Sequence, residues 1–166
     1  MKNRILAVTM IFVLSFCLLL TGCKGKSDKG DKDAQIKADT FIKVSSAEGS
    51  VGDTVKVPVK ISGNPGIMAL LIDFGFDNKT LKYVGYEKGD VFSDYDISED
   101  GGNLRLMILE NEDVKGDGTL LTLEFEILND DNKETEIKAI IESNSICNYD
   151  EELILTEGKN GKINIK

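Results

Sequence analysis

Leu121-Thr122-Leu123-Glu124-Phe125-Glu126-Ile127 alternates apolar and polar residues without a break. A period of two is the mark of a β-strand with one face buried and the other wet. The same alternation runs through Val55, Val57, Val59 and Ile61, separated by Lys56, Pro58 and Lys60, and through Ile137, Ala139 and Ile141, flanked by Glu136, Lys138 and Glu142. Pro58 predicts a sheet edge, or a position whose N–H is not needed. Shorter strands are expected over 41–45, 81–86, 153–156 and 162–165. Turn signals separate them: Gly52-Asp53, Gly63-Asn64-Pro65-Gly66, Asp100-Gly101-Gly102, Gly116-Asp117-Gly118 and Asn160-Gly161. No amphipathic helix and no internal repeat stands out. The expectation is an all-β, two-sheet antiparallel β-sandwich over 40–166.

Two strands break the one-face rule. From Gly66 to Asp77, the even positions Met68, Leu70, Ile72, Phe74 and Phe76 are apolar, and the odd ones carry Ile67, Ala69 and Leu71 before Asp73. From Asn103 to Asn111, Leu104, Leu106 and Ile108 form one face, and Arg105, Met107 and Leu109 the other. An antiparallel sandwich strand is ordinarily polar outside. If these two strands are neighbours, Leu71, Met107 and Leu109 make an outward apolar patch rimmed by charge, a common mark of a protein contact.

Composition narrows the chemistry. There is no His and no Trp among 166 residues. Triads built on His, Cys–His pairs and His-ligated zinc are therefore excluded. From Thr40 onward there are 13 basic and 25 acidic residues, a net of −12. Such a surface disfavours nucleic acid and suits a partner that is neutral or basic at the contact. Carboxylates abound, but no spacing marks two of them as facing each other across a hydrolytic cleft. Asp96-Ile-Ser98-Glu-Asp100-Gly101 has part of a calcium-loop pattern, yet Asn103 and Met107 stand where an EF-hand needs an apolar residue and Glu; a hairpin turn is the simpler reading.

The first residues read as an export address. Lys2 and Arg4 form a positive n-region, and residues 5–20 are apolar apart from Thr9 and Ser15. Leu20-Thr21-Gly22-Cys23 then resembles the lipobox of bacterial lipoproteins. That resemblance implies cleavage after Gly22, acylation of Cys23 and a place on the extracellular face of a Gram-positive-type cell membrane. Residues 23–39 hold five Lys and four Asp and few apolar side chains, the composition of a flexible tether. Of the remaining cysteines, Cys17 lies in the leader and Cys147 is left without a partner, so no internal disulfide is expected.

The ordered series of segments is similar to a cohesin module. Val51-Gly-Asp-Thr-Val-Lys-Val-Pro-Val59 resembles its opening. Gly66-Ile-Met-Ala69 with Phe74-Gly-Phe-Asp77 resembles its third and fourth strands; Gly89-Asp-Val-Phe92, Asn103 to Asp113 and the strand from Leu120 to Ile127 continue the match. The resemblance implies a jelly roll of about nine strands that binds dockerins, small calcium-loaded modules of enzymes that degrade plant cell walls. It implies no cofactor on this chain itself, a monomer, and docking on the sheet holding the two double-faced strands. The residues implied for the contact are Ala69, Leu71, Asp73, Tyr95, Arg105, Met107, Leu109 and Glu112. Ala69 and Leu71 depart from the Asn and Asp of well-known type I members, which implies a more apolar interface. Tyr95 is placed on the fifth strand, and Asp73 and Glu112 at a rim that steers a basic partner. The alternatives are a carbohydrate-binding module, for which the four Tyr are the only Tyr or Trp platform, and a structural or adhesive lipoprotein.

Overall fold

The computed structural model describes residues 38–166; the leader, the lipobox with Cys23 and nearly all of the linker lie outside the described residues. The described chain forms twelve strands and no helix: β1 (Thr40–Val44), β2 (Ala47–Gly49), β3 (Thr54–Ser62), β4 (Ile67–Gly75), β5 (Leu81–Lys88), β6 (Asp96–Asp100), β7 (Asn103–Val114), β8 (Gly118–Ile127), β9 (Glu134–Ile140), β10 (Ile146–Cys147), β11 (Thr156–Lys159) and β12 (Gly161–Ile165). One sheet runs β11-β1-β3-β8-β5. The other runs β2-β12-β9-β4-β7-β6, with β10 added to β4.

The sandwich is not wholly antiparallel. β1 pairs with β11, and β12 with β2, in parallel. The strand count exceeds nine because β2, β10 and β11 have only three, two and four residues. Strands that short show no alternation long enough to read. The strand expected over 153–156 is displaced: Leu153 makes only an isolated bridge to Cys147, and the regular pairing begins at Thr156.

The inward residues of both sheets meet in one core. Val57, Val59 and Ile61 of β3, Leu123 and Phe125 of β8, Ile72 and Phe74 of β4 and Leu104 and Leu106 of β7 are all buried. Each large side chain of this kind contributes roughly 1.5–3 kcal/mol by leaving water. Phe125 packs edge-on against Phe76 and Tyr83, with centroids 5.0 and 6.0 Å away. Pro58 lies in an interior strand, not at an edge. Its carbonyl accepts from the Ser45 N–H just past the end of β1, so its ring nitrogen faces the point where the β1 ladder stops.

Bulges explain where strict parity fails. Between Val59 and Lys60 the β3–β8 register slips, so Leu120 and Leu121 are both buried. Between Ile67 and Ala69, β4 advances two residues while β7 advances from Val114 to Leu109. Ile67 is therefore buried although it shares parity with Ala69. Gly101 and Gly102, at φ 58° and 96°, turn β6 into β7 in the left-handed region, as the hairpin reading expected. Asn64 clasps the far end of the sandwich. Its amide donates to the Val114 and Gly116 carbonyls and its oxygen accepts from the Gly66 N–H, each at 3.1 Å.

Candidate functional site

Paired residues on neighbouring strands point their side chains to the same face. The register of β4 with β7 therefore draws the outer surface of the larger sheet row by row, with strands about 4.8 Å apart. The first row is Leu153–Cys147–Ala69–Leu109, reaching from the bridge beyond β10 across β4 to β7. Next comes Leu71–Met107–Asp96. The third is Ile140–Asp73–Arg105–Ser98 and the fourth Lys138–Gly75–Asn103–Asp100.

The first two rows are mainly apolar and open to solvent. Leu109 is 58% exposed, Met107 47% and Leu153 55%, while Ala69, Leu71 and Cys147 are half-buried; Ile140, 46% exposed, adjoins them in the third row. β4 and β7 are thus adjacent, and their outward apolar residues form one patch. Desolvating such a patch favours association, and its small central residue, Ala69, lets a partner backbone come close. Asp96, Asp100, Glu112 and Glu142 are exposed around it, and Arg105 and Lys138 are exposed cations of the same face.

The centre of the face is an ion pair. Arg105 Nε and Nη2 donate to the two carboxylate oxygens of Asp73, both at 2.8 Å. The Arg105 guanidinium holds the Asp73 carboxyl below its usual range, outweighing the opposing effect of burial. Asp73 in turn raises Arg105. Asp73 is therefore not a rim acid free to steer a partner, as the sequence led one to expect; its charge is matched within the face.

Tyr95 is a correction. It precedes β6, is 8% exposed, and donates its hydroxyl to the Leu120 carbonyl at 2.7 Å. Burial pushes its phenol upward. It anchors the β5–β6 connection in the core and is not available to a partner. Glu110 fastens the same connection from outside. Its carboxylate accepts from the Ser93 N–H and hydroxyl and the Asp94 N–H. Burial acts to raise Glu110, and these donors together outweigh it and hold the carboxyl low. Glu112 is exposed in the part of β7 that β4 does not pair.

Three residues of the face escaped the sequence reading. Ile140 sits at the wet parity of β9, with Lys138, and that misplaced apolar residue was the available signal. Cys147 and Leu153 gave none, because β10 is two residues long and its pairing with β4 is a tertiary fact.

The cohesin domain family model matches residues 40–165. Cellulose-binding protein A of Clostridium cellulovorans is 29% identical over 92 residues, 51% of this chain but only 5% of that protein's length. A non-cellulosomal cohesin from the archaeon Archaeoglobus fulgidus superposes with a TM-score of 0.69 at 23% identity, covering 78% of this chain and 92% of that one. The seventh ScaB type I cohesin of Pseudobacteroides cellulosolvens gives 0.70 at 16%, covering 78% and 94%. A chain of a type I cohesin–dockerin complex from Clostridium thermocellum gives 0.67 at 20%, covering 76% and 99%. The superpositions and the match over 40–165 agree: this chain belongs to the cohesin domain family.

Proposed function

We propose that the domain is a non-catalytic docking module that captures a dockerin-bearing protein on the outer face of the larger sheet. The observation that carries this is the pair of apolar rows, Leu153–Cys147–Ala69–Leu109 and Leu71–Met107, open to solvent and edged by carboxylates. Solved relatives include cohesins in complex with dockerins, which supports the same class of partner here. Leu71, Met107, Leu109 and Ala69 supply the desolvated contact. Arg105 and Asp73 present a matched pair beside it, and Glu112 with Asp96 draws a basic rim on the partner. The cargo we assign is a polysaccharide-degrading enzyme. Export and anchoring through acylated Cys23 are proposed on the n-region, apolar run and lipobox.

Calorimetric titration of residues 36–166 with dockerin modules from the same genome, with calcium and then with chelator, tests the docking reading. Tight, calcium-dependent binding of one module supports it and names the cargo. No heat across the set overturns it. Mass measurement of the membrane-extracted chain tests the anchor: an unmodified Cys23 overturns that part alone.

A further inference from the structure

The outer face of the smaller sheet divides into two halves of opposite character. Toward β5, lysines stand opposite carboxylates: Lys56 is paired with Glu124 and reaches Glu87, and Lys82 is paired with Glu126. Toward β11, the register places Lys159, Lys43 and Lys60 directly opposite one another on β11, β1 and β3, in one row that ends at Thr119. All three are exposed. Among the described residues, no ion pair involves any of them. The nearest acids by register are Glu157, in the adjoining Glu157–Phe41–Ser62 row, and Asp90, which accepts from the Thr119 N–H. The Lys159 ammonium also lies 4.1 Å from the centre of the half-buried Phe41 ring.

Like charges directly opposite on neighbouring strands destabilise a sheet. A domain with 25 acidic residues has ample means to avoid three in a row. The row faces away from the docking surface, on the opposite side of the sandwich. It also includes β1, the strand by which the chain enters the domain. From Cys23 to Asp39 there are 17 residues, so an anchor at Cys23 would hold Thr40 within about 60 Å of a bilayer even at full extension.

From this placement we infer that the Lys159–Lys43–Lys60 row is a contact for the anionic headgroups of a lipid bilayer, seating the domain with its docking face turned outward. Phosphate oxygens match a line of ammonium groups spaced one strand apart, and the Phe41 ring beside Lys159 suits the headgroup boundary. The lysine row carries this independently of the docking reading; either can fail without the other.

The test uses a chain beginning at Cys23, with Cys147→Ser, coupled through the Cys23 thiol to a maleimide-bearing lipid in vesicles. This imposes the anchor whether or not the cell makes it. Lysine acylation by an amine-reactive reagent is then followed residue by residue. On vesicles containing phosphatidylglycerol, Lys43, Lys60 and Lys159 are expected to react about fivefold more slowly than on phosphatidylcholine alone, an effect removed by high salt. Lys138, on the docking face, is the reference and should not change. In the triple variant Lys43→Gln, Lys60→Gln, Lys159→Gln, any slowing of neighbouring Lys56 should disappear. Equal rates on both vesicles overturn the proposal. Slowing by free inorganic phosphate to the same extent, without phosphatidylglycerol, also overturns it and points to a soluble-phosphate site.

Discussion

Asp73 and Arg105 face each other across β4 and β7, joined by two parallel hydrogen bonds of 2.8 Å where the apolar rows give way to polar ones. The fork geometry fixes both side chains and leaves neither charge unmatched. Because the Asp73 carboxyl is lowered, the pair contributes stability above the ordinary carboxylate range and loses it as pH falls through the lowered value. In Arg105→Met the stability deficit should be constant above about pH 5 and shrink below about pH 4. Thermal melts of both proteins across that range check it. A deficit that persists at about pH 2.5 would mean Arg105 acts through packing instead.

The docking face separates contact from folding. Leu71→Asp combined with Met107→Asp should weaken dockerin binding at least about 100-fold, while the melt stays cooperative, since Met107 is exposed and Leu71 only half-buried. Loss of the melt would show that the pair belongs to the core. Leu153→Ser alone should cost about tenfold in Kd, mostly through faster dissociation.

Tyr95→Phe tests the opposite assignment. Removing the hydroxyl takes a donor from the Leu120 carbonyl and should cost about 1–2 kcal/mol in denaturant unfolding. Dockerin affinity measured by calorimetry should not move. A drop in affinity at unchanged stability would return Tyr95 to the contact.

Asn64→Ala removes three hydrogen bonds at a nearly buried site and should destabilise the domain by about 2–3 kcal/mol. The loosened turn from Val114 to Gly118 should exchange its amide protons faster than the centre of β8 does. Uniform acceleration throughout the domain would argue against a local clasp.

At the alkaline end, burial raises the Tyr83 phenol to about 12. The folded state therefore favours neutral Tyr83, and stability that is full below about pH 10 falls as pH rises toward 12. Tyr83→Phe should flatten that limb of the curve in melts from about pH 9 to about pH 12. An unchanged slope would assign the alkaline loss to other groups.

Period two carried most of the fold, and its failures have physical causes. Residues 121–127 and 55–61 alternate as their burial does, because each lies in a strand whose other side is solvent. Ile67 and Leu120 were illegible because a bulge changes the face of every residue beyond it, and no local composition announces it here. At the site, the excess apolar parity of Leu71, Met107 and Leu109 was visible in the sequence, and the adjacency of their strands puts them on a shared face. The Asp73–Arg105 pair was not, since two charges 32 residues apart say nothing of register. Tyr95 was misread because a phenol in a connection can turn either way, and the Leu120 carbonyl decides it. Cys147 and Leu153 belong to the face only through a two-residue strand and one bridge.

The parallel pairing of β1 with β11 sets how the domain takes a pull. A module held at its amino end and loaded on its far face transmits force through β1, whose residues bond β3 on one side and β11 on the other. Tension along that strand strains both ladders in shear, so their bonds resist together instead of opening one after another from an end. In single-molecule stretching from residue 38 against a bound partner, the domain should outlast the contact it carries; unfolding before partner release would show that β1 peels instead.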